Sequence, residues 1–220
     1  MEADAIRAEL RELHSRGKRI FLSSSFQTHS IPLLHIASTS GVPFDVLFLQ
    51  TRFHFPETLA FRNQVRDLLG LRIVNVESNV PMHMQRDTDG RLPYVRDPEH
   101  CCRVNKTLAM EPYLDLYDVW VNGVRRNQSA VREGFTRWAP TGHRAERFHP
   151  LLDWTDRQIW EYRTEHSLPK HPLEDAGYVS IGCAPCTRRR DSNDPRQARW
   201  FGMSKTECGL HTQLVGETTE

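Results

Sequence analysis

Long apolar runs are missing from the 220 residues: the longest, such as Val46 to Leu49, are strand-sized, far short of the roughly 18 apolar residues needed to cross a bilayer. The expectation is a soluble protein with no membrane contact. The opening Met1-Glu-Ala-Asp-Ala-Ile has no apolar h-region, so no secretory signal carries the cysteines to an oxidising compartment, and a cytoplasmic location is expected. Net charge is nearly absent as well. With 29 Lys+Arg against 28 Asp+Glu the balance is +1, which speaks against a protein that coats nucleic acid or an anionic membrane. Internal repeats and low-complexity tracts are lacking, and 38% hydrophobic with 26% charged residues excludes collagen, coiled coil and disorder. Cysteine is what stands out. Five of them fit poorly with a closed disulfide framework and suggest an even set of metal ligands plus one reactive thiol.

At 25.6 kDa the chain is long enough for one domain, or a domain with an appendage, to bury its own core. Residues 2 to 16 carry Ile6, Leu10 and Leu13 at helical spacing among charges, which predicts an opening amphipathic helix. Arg19 to Ser23 reads as a buried strand and Asp45 to Gln50 as a second. Pro56-Glu57 signals a helix start, with Leu59, Val65, Leu68 and Leu69 on a helix that Gly70 ends. Leu71 to Val76 and Val119 to Val121 supply a third and fourth strand. Continuous apolar strands separated by helices predict a parallel sheet covered on both faces, an α/β domain over about residues 18 to 150. Further on, Thr155 and Gln158 form a capping box, with Trp154 and Ile159 placed as a hydrophobic staple for a helix reaching about Ser167. The polar stretch from Glu77 to Cys101, with three prolines, reads as a mobile excursion from the sheet.

The cysteines fall as Cys101-Cys102, Cys183-Ala-Pro-Cys186 and Cys208. The Cys-x-x-Cys spacing alone fits a zinc half-site or a redox dithiol. Neighbouring side chains on a strand or extended loop diverge, so Cys101 and Cys102 suit one tetrahedral zinc badly, whereas a cubane offers each sulfur its own iron. Two pairs of thiolates therefore lean toward a [4Fe-4S] cluster over zinc, with buried small hydrophobes as the bland reading. Cys208 is left without a partner, near the C-terminus among polar residues, where Lys205 and His211 would favour its thiolate as a nucleophile.

Charge balance conceals two arginine-rich segments, Gly123 to Arg137 and Thr187 to Trp200, each with a local excess of three positive charges. Arginine suits a two-point grip on phosphate or sulfate oxygens. Between the first strand and a helix starting near Ser30 lies Ser23-Ser24-Ser25-Phe26, whose hydroxyls and backbone N–H groups suit an anion. The glycines and lysine of a Walker A loop are missing, which excludes a P-loop NTPase.

In combination, several segments resemble the assimilatory sulfonucleotide reductases, the adenylyl-sulfate (APS) and phosphoadenylyl-sulfate (PAPS) reductase family. They are Ser23-Ser-Ser-Phe26 with Leu34-His35, Phe55-Pro-Glu-Thr58, Cys101-Cys102 with Lys106, and Trp120-Val-Asn-Gly-Val-Arg-Arg-Asn-Gln-Ser129. To these add Pro150-Leu-Leu-Asp-Trp154, Gly177-Tyr178, Ser180-Ile-Gly-Cys-Ala-Pro-Cys-Thr187, Arg196 with Arg199-Trp200, and Glu207-Cys-Gly-Leu-His211. The resemblance covers about residues 18 to 211. It implies a PP-loop, adenine nucleotide alpha hydrolase-like fold, with residues 1–187 as the sulfonucleotide-binding domain including the cluster site and 188–220 as an arginine loop and mobile catalytic tail.

It further implies that Cys208 attacks the sulfur of adenylyl sulfate, that AMP leaves, and that thioredoxin or glutaredoxin releases sulfite from the S-sulfocysteine, in assimilatory sulfate reduction and cysteine biosynthesis. Cys101, Cys102, Cys183 and Cys186 would hold a [4Fe-4S] cluster that is not the electron donor, and Lys106 would link the cluster to the anion. Ser23, Ser24 and Ser25 would hold the nucleotide phosphate, while Arg125 or Arg126, Arg196, Arg199 and His211 would grip the phosphosulfate. A homo-oligomer stays open. Cysteine pairs mark the adenylyl-sulfate enzymes of the family, yet the Ser-Ser-Ser-Phe loop is closer to the cluster-free branch. That leaves PAPS, both nucleotides, or a related sulfonucleotide as alternative substrates. Gln50-Thr51-Arg52-Phe53 stands where the family usually has Asp-Thr-Gly-Tyr, and Gln27, Thr28 and His29 also depart from the usual residues. Two other classes are weighed: an ATP pyrophosphatase, which would want a Ser-Gly-Gly loop, and a zinc-bound nucleic-acid module, disfavoured by the +1 charge.

Overall fold

The computed structural model describes residues 2–189, 198–200 and 207–214; Arg196 and Lys205, both singled out above, lie outside them. Six strands form one sheet in the order β3-β2-β1-β4-β6-β5: β1 (Ile20–Ser23), β2 (Asp45–Leu49), β3 (Ile73–Val76), β4 (Val119–Asn122), β5 (Trp138–Ala139) and β6 (Glu146–Phe148). The first four elements anticipated as strands are there and parallel. Sequence reading missed β5 and β6, two and three residues long, and β5 runs antiparallel to β6 at the sheet edge.

Alternation along each strand sends side chains to opposite faces, and both faces are covered. Leu22, Val46, Phe48, Val121 and Phe148 meet the helices α1 (Glu2–Ser15), α2 (Ile31–Ser38), α3 (Pro56–Leu69) and α7 (Asp156–Glu165). Phe21, Leu47, Val76 and Trp120 face Met110 and Leu114 on the opposite side. α1 buries Ile6 and Leu10, and α3 buries Thr58, Phe61 and Val65 and ends on Gly70 in the left-handed conformation (φ 62°), where a side chain would be strained. Leu68, expected on the covered face of α3, is exposed. Thr155 caps α7 by accepting from the Gln158 N–H, as the capping box predicts, and Trp154 and Ile159 are both buried.

The cysteine pair corrects the sequence reading. Pro98 opens a helix, α4 (Pro98–Cys102), capped by the Asp97 carboxylate accepting from the His100 N–H. A π-turn (Arg103–Thr107) follows, then α5 (Leu108–Leu116). Cys101 and Cys102 therefore sit on a helix rather than on a strand or extended loop. A π-turn widens the helix by one residue, and here it carries Lys106. Between β3 and α4 the chain forms only short 3-10 turns. Two further short helices are α6 (Ala130–Glu133) and α8 (Gly209–Thr212). Among the described residues no helix is long and apolar enough to cross a membrane.

Just after β6, His149 is buried, and its Nδ1 lies 2.6 Å from the Asn122 Oδ1, so its Nδ1–H donates. Burial first, then the charges of Arg147 and Arg132, pulls its pKa down to about 3. The folded protein thus keeps His149 neutral while the unfolded chain takes up its proton below about pH 6.5. Stability from this group is complete above pH 6.5 and is lost progressively as pH falls toward 3. The midpoint of thermal unfolding should decline over that range, and His149→Gln should make the decline shallower, as scanning calorimetry at stepped pH would show.

Candidate active site

β1 and β4 lie side by side in parallel register with Ser23 opposite Asn122, and the chain moves away from them in opposite directions across the sheet. Their C-terminal ends form the switch point at which an open α/β sheet offers a crevice. A cleft of about 830 Å³ opens there.

The serine loop is held in shape from below and beside. The Trp120 indole N–H donates to the Ser23 hydroxyl at 2.7 Å, and the Phe26 N–H donates to the Ser24 hydroxyl at 3.0 Å. Phe26 is fully buried with φ 54°, a left-handed conformation costly for a side-chain-bearing residue and retained where the surroundings impose it. Gln27 joins this loop to the cysteine loop: its amide donates to the Ser25 hydroxyl and its carbonyl accepts from the Ile181 N–H at 2.8 Å. Thr28 instead accepts from the His171 N–H, so of the three departures from the family pattern only Gln27 and His29 line the cleft.

Ser23, Ser24, Ser25, Lys106, Arg125, Arg199, Cys208 and His211 all line this cleft. Arg126 does not. Its guanidinium is spent on the Asp153 carboxylate at 3.0 Å and on the carbonyls of Glu133 and Phe135, both at 2.7 Å. The segment Gly123 to Arg137 is in fact no free positive patch: Arg125 pairs with Asp156, Arg126 with Asp153, Arg132 with Glu207 and Arg137 with Glu9. Arg199 is different. It has no ion pair among the described residues, stacks on Trp200 at 4.5 Å and donates to the Cys186 carbonyl at 3.2 Å. Gly182 makes room for it, since a Cβ there would collide with the guanidinium.

Cys101, Cys102, Cys183 and Cys186 line a second, smaller pocket together with Thr51, Phe53, Tyr94 and Lys106. All four are buried. Burial, then the neighbouring thiols, pushes Cys101 up to about 12 and raises Cys186. Thr51 lies with its hydroxyl 3.2 Å from the Cys183 sulfur, Phe53 accepts from the Ala184 N–H at 2.7 Å, and Arg52, at φ 65°, pairs with Glu77. The segment Gln50-Thr51-Arg52-Phe53 therefore bears on the cysteine pocket.

Cys208, half-buried, packs against Cys183, Cys186 and Trp200. The Lys106 ammonium lies 4.0 Å from its sulfur and lines both cavities. Burial alone would lower the Lys106 pKa, but Cys183, Cys208 and Cys102 outweigh it and raise it, so the lysine stays charged. Sequence reasoning assigned the cation beside Cys208 to Lys205 and His211; the π-turn brings Lys106 there across 102 residues of chain. Also missed was His54, in the cleft wall, whose ring N–H donates to the Leu49 carbonyl and whose pKa burial pulls down to about 4. Arg132 and Glu207, noted only as members of their segments, and Arg147, not noted at all, were not read as contacts of the Cys208 segment, because their partners are distant in sequence.

A mostly parallel sheet with a polar loop, cationic side chains and a cysteine around a cleft at its switch point defines the class as an α/β protein with a nucleotide-sized site. The chain belongs to the phosphoadenosine phosphosulfate reductase domain family, whose model matches residues 19–189. It is 38% identical over 185 residues to an adenosine 5'-phosphosulfate reductase of Rhodococcus erythropolis, covering 81% of this chain and 73% of that protein. It is 39% identical over 203 residues to a phosphoadenosine 5'-phosphosulfate reductase of Gloeobacter violaceus, covering 89% and 83%. In fold it is similar to the phosphate complex of phosphoadenylyl-sulfate reductase from Candida auris (TM-score 0.67, 20% identity, 81% of this chain and 87% of that one).

If Arg199 grips an anion in the cleft, Arg199→Ala should weaken AMP binding by about tenfold, the value of a charge-assisted hydrogen bond. Gly182→Ala, which displaces the guanidinium without removing its charge, should do nearly the same. Titration calorimetry with both variants measures this; unchanged affinity would remove Arg199 from the anion site.

Proposed function

We propose that this protein reduces adenylyl sulfate to sulfite and AMP with Cys208 as nucleophile and a cytoplasmic dithiol, thioredoxin or glutaredoxin, as reductant. The observation that carries the reading is the separation of the thiols. Four are buried in their own pocket, and the fifth stands in the wall of the nucleotide-sized cleft with an ammonium 4.0 Å away.

The Cys208 thiolate attacks the sulfonyl sulfur, the bond from sulfur to the phosphate oxygen breaks, and AMP leaves with that electron pair. Cys208 now carries an SO3 group. A thiolate of the dithiol attacks the Cys208 sulfur, sulfite departs with the sulfur–sulfur electron pair, and the second thiol resolves the mixed disulfide, restoring the Cys208 thiolate. Two electrons come from the dithiol. Lys106 and Arg199 hold the sulfonate and phosphate oxygens, and their charge offsets that developing on the leaving group. The serine loop receives the nucleotide phosphate, with His211 and Arg125 closing the wall. In this reading residues 1–187 bind the nucleotide and 188–220 bring the arginine loop and the nucleophile.

The cysteine pocket fits a [4Fe-4S] cluster held by Cys101, Cys102, Cys183 and Cys186. The lining offers four buried cysteine sulfurs with no carboxylate or imidazole among them, beside the Lys106 ammonium, a donor set that iron–sulfur clusters take. The two cysteine pairs, one of them of adjacent residues, favour the cluster over one tetrahedral zinc. When bound, the cluster supplies a compact charge beside Lys106. Relatives named for both nucleotides make PAPS, or both, the second reading for substrate.

Cys208→Ser should form no sulfite, while the wild type, stopped before reductant is added, should carry a mass increment of one SO3 group on the peptide containing Cys208. Sulfite release from adenylyl sulfate against its 3'-phosphorylated analogue decides the substrate. Full activity of Cys208→Ser would remove the nucleophile assignment. Purified protein should be brown with broad absorption near ~400 nm, and a colourless, zinc-loaded protein would overturn the cluster.

A further inference from the structure

The segment 207–214 carries Cys208, and the helix within it, α8, is four residues long. A single turn has little stability of its own. Something else must fix the sulfur in the cleft wall, and two buried arginines flank it. On one side, Arg132 of α6 makes a two-point contact with Glu207: Nε donates to Oε2 and Nη2 to Oε1, both at 3.0 Å. The Ser129 hydroxyl adds a third bond to Oε2 at 3.0 Å. The same Oε1 accepts the Cys208 N–H at 2.9 Å, so the carboxylate gripped by Arg132 is bonded directly to the peptide that bears the sulfur. The Glu207 side chain is 2% exposed and that of Arg132 11%.

On the other side stands Arg147 of β6, 2% exposed, lying over the Trp120 ring at 4.5 Å. It has no carboxylate partner among the described residues, and its Nε makes no hydrogen bond there. Its Nη2 donates to two tail carbonyls, Leu210 at 3.1 Å and Leu214. Burial lowers its pKa to about 10. A guanidinium held under those terms depends on the tail: lifting the tail away would break the charge-assisted hydrogen bonds to both carbonyls. The Thr107 hydroxyl, next to Lys106 in the π-turn, donates to the Gln213 side chain at 2.9 Å and ties the segment a third time.

We propose that Arg132 and Arg147 are positioning residues that strap the 207–214 segment onto α6 and the sheet, one immediately before Cys208 and one just after it, and so hold its sulfur beside Lys106. The proposal rests on the reading of Cys208 as nucleophile. The straps differ in kind. Arg132 meets a carboxylate that travels with the tail, whereas Arg147 is a fixed charge in the sheet that the tail's carbonyls satisfy, so opening is disfavoured from both partners.

The test uses the full-length protein with Arg147→Met, Arg132→Met and, because buried substitutions can prevent folding, Glu207→Gln, which alters only the tail's side of one strap. Hydrogen exchange read by mass spectrometry should speed up about tenfold for amides in 207–214 and stay unchanged for the β4 peptide, without any nucleotide present. In sulfite formation kcat should fall by about 100-fold, the cost of a small misplacement of a reacting group, with KM within about threefold of wild type. Arg147→Lys, which keeps a donor and a charge, should recover part of the loss. Unchanged tail exchange would overturn the straps. Faster exchange with unchanged kcat would overturn the positioning role, and a loss confined to KM would make the arginines substrate ligands instead. Should the wild type release no sulfite from any sulfonucleotide, the functional reading fails, while the exchange experiment still reports on the straps.

Discussion

The parallel pairing of β1 with β4, Ser23 against Asn122, sets the position of almost everything that follows. Two neighbouring strands ending level, with chain leaving them in opposite directions, open a crevice that no side chain of the sheet fills. Into that crevice run a serine loop and the Gly123 to Ser129 loop. The same pairing places Trp120 where its indole N–H reaches the Ser23 hydroxyl and its ring supports Arg147. It also places Asn122 against His149. Hydrophobic burial on both faces fixes these strands, and the polar network of the site is hung from their ends. Moving the register by one residue would exchange the two faces and remove the cleft with the core.

Within that frame the distribution of charge is decided by burial. Most arginines near the cleft are spent on carboxylates, and these ion pairs hold loops together: Arg125 with Asp156, Arg126 with Asp153, Arg132 with Glu207. Pairs with an exposed partner, such as Asp156 at 81%, add little stability but remove the arginine from competition for an anion. Among the described residues Lys106 and Arg199 line the cleft without a carboxylate partner. Lys106 also lines the cysteine pocket and Arg199 reaches the Cys186 carbonyl, so the positive charge that lines the cleft also borders the buried thiols.

The sequence was legible where one element carries its own signal. Pro56 and Gly70 bound α3 because proline fits the first helical turn and glycine the left-handed cap; Thr155 and Gln158 bound α7 because each caps the other's backbone group. The continuous strands were readable because a strand buried on both faces has no polar side. Illegible were features that depend on contacts across the chain. β5 and β6 are too short to show a period. The helix bearing Cys101 and Cys102 is masked by a π-turn that breaks the 3.6-residue pattern. Lys106 beside Cys208, and Glu207 against Arg132, join residues 102 and 75 positions apart, and no spacing rule reports such a meeting. The count of arginines suggested two equal anion-binding segments; only the fold could show that one of them was already neutralised.

Five similar thiols end up in two chemically opposite settings, and the cause lies in what surrounds each sulfur rather than in its own residue type. Cys101 and Cys186 are desolvated among other thiols, which disfavours the free thiolate at both. Such groups are poor nucleophiles and become stable as thiolates only when a bound cationic centre compensates their charge. Cys208 escapes that pocket by the thickness of one contact, against Cys183 and Cys186 on one side and open to the cleft on the other. It also lies 4.0 Å from the Lys106 ammonium. In the proposed reading the reachable sulfur is the nucleophile and the enclosed ones are ligands, and Lys106, lining both cavities, marks the boundary between the two settings.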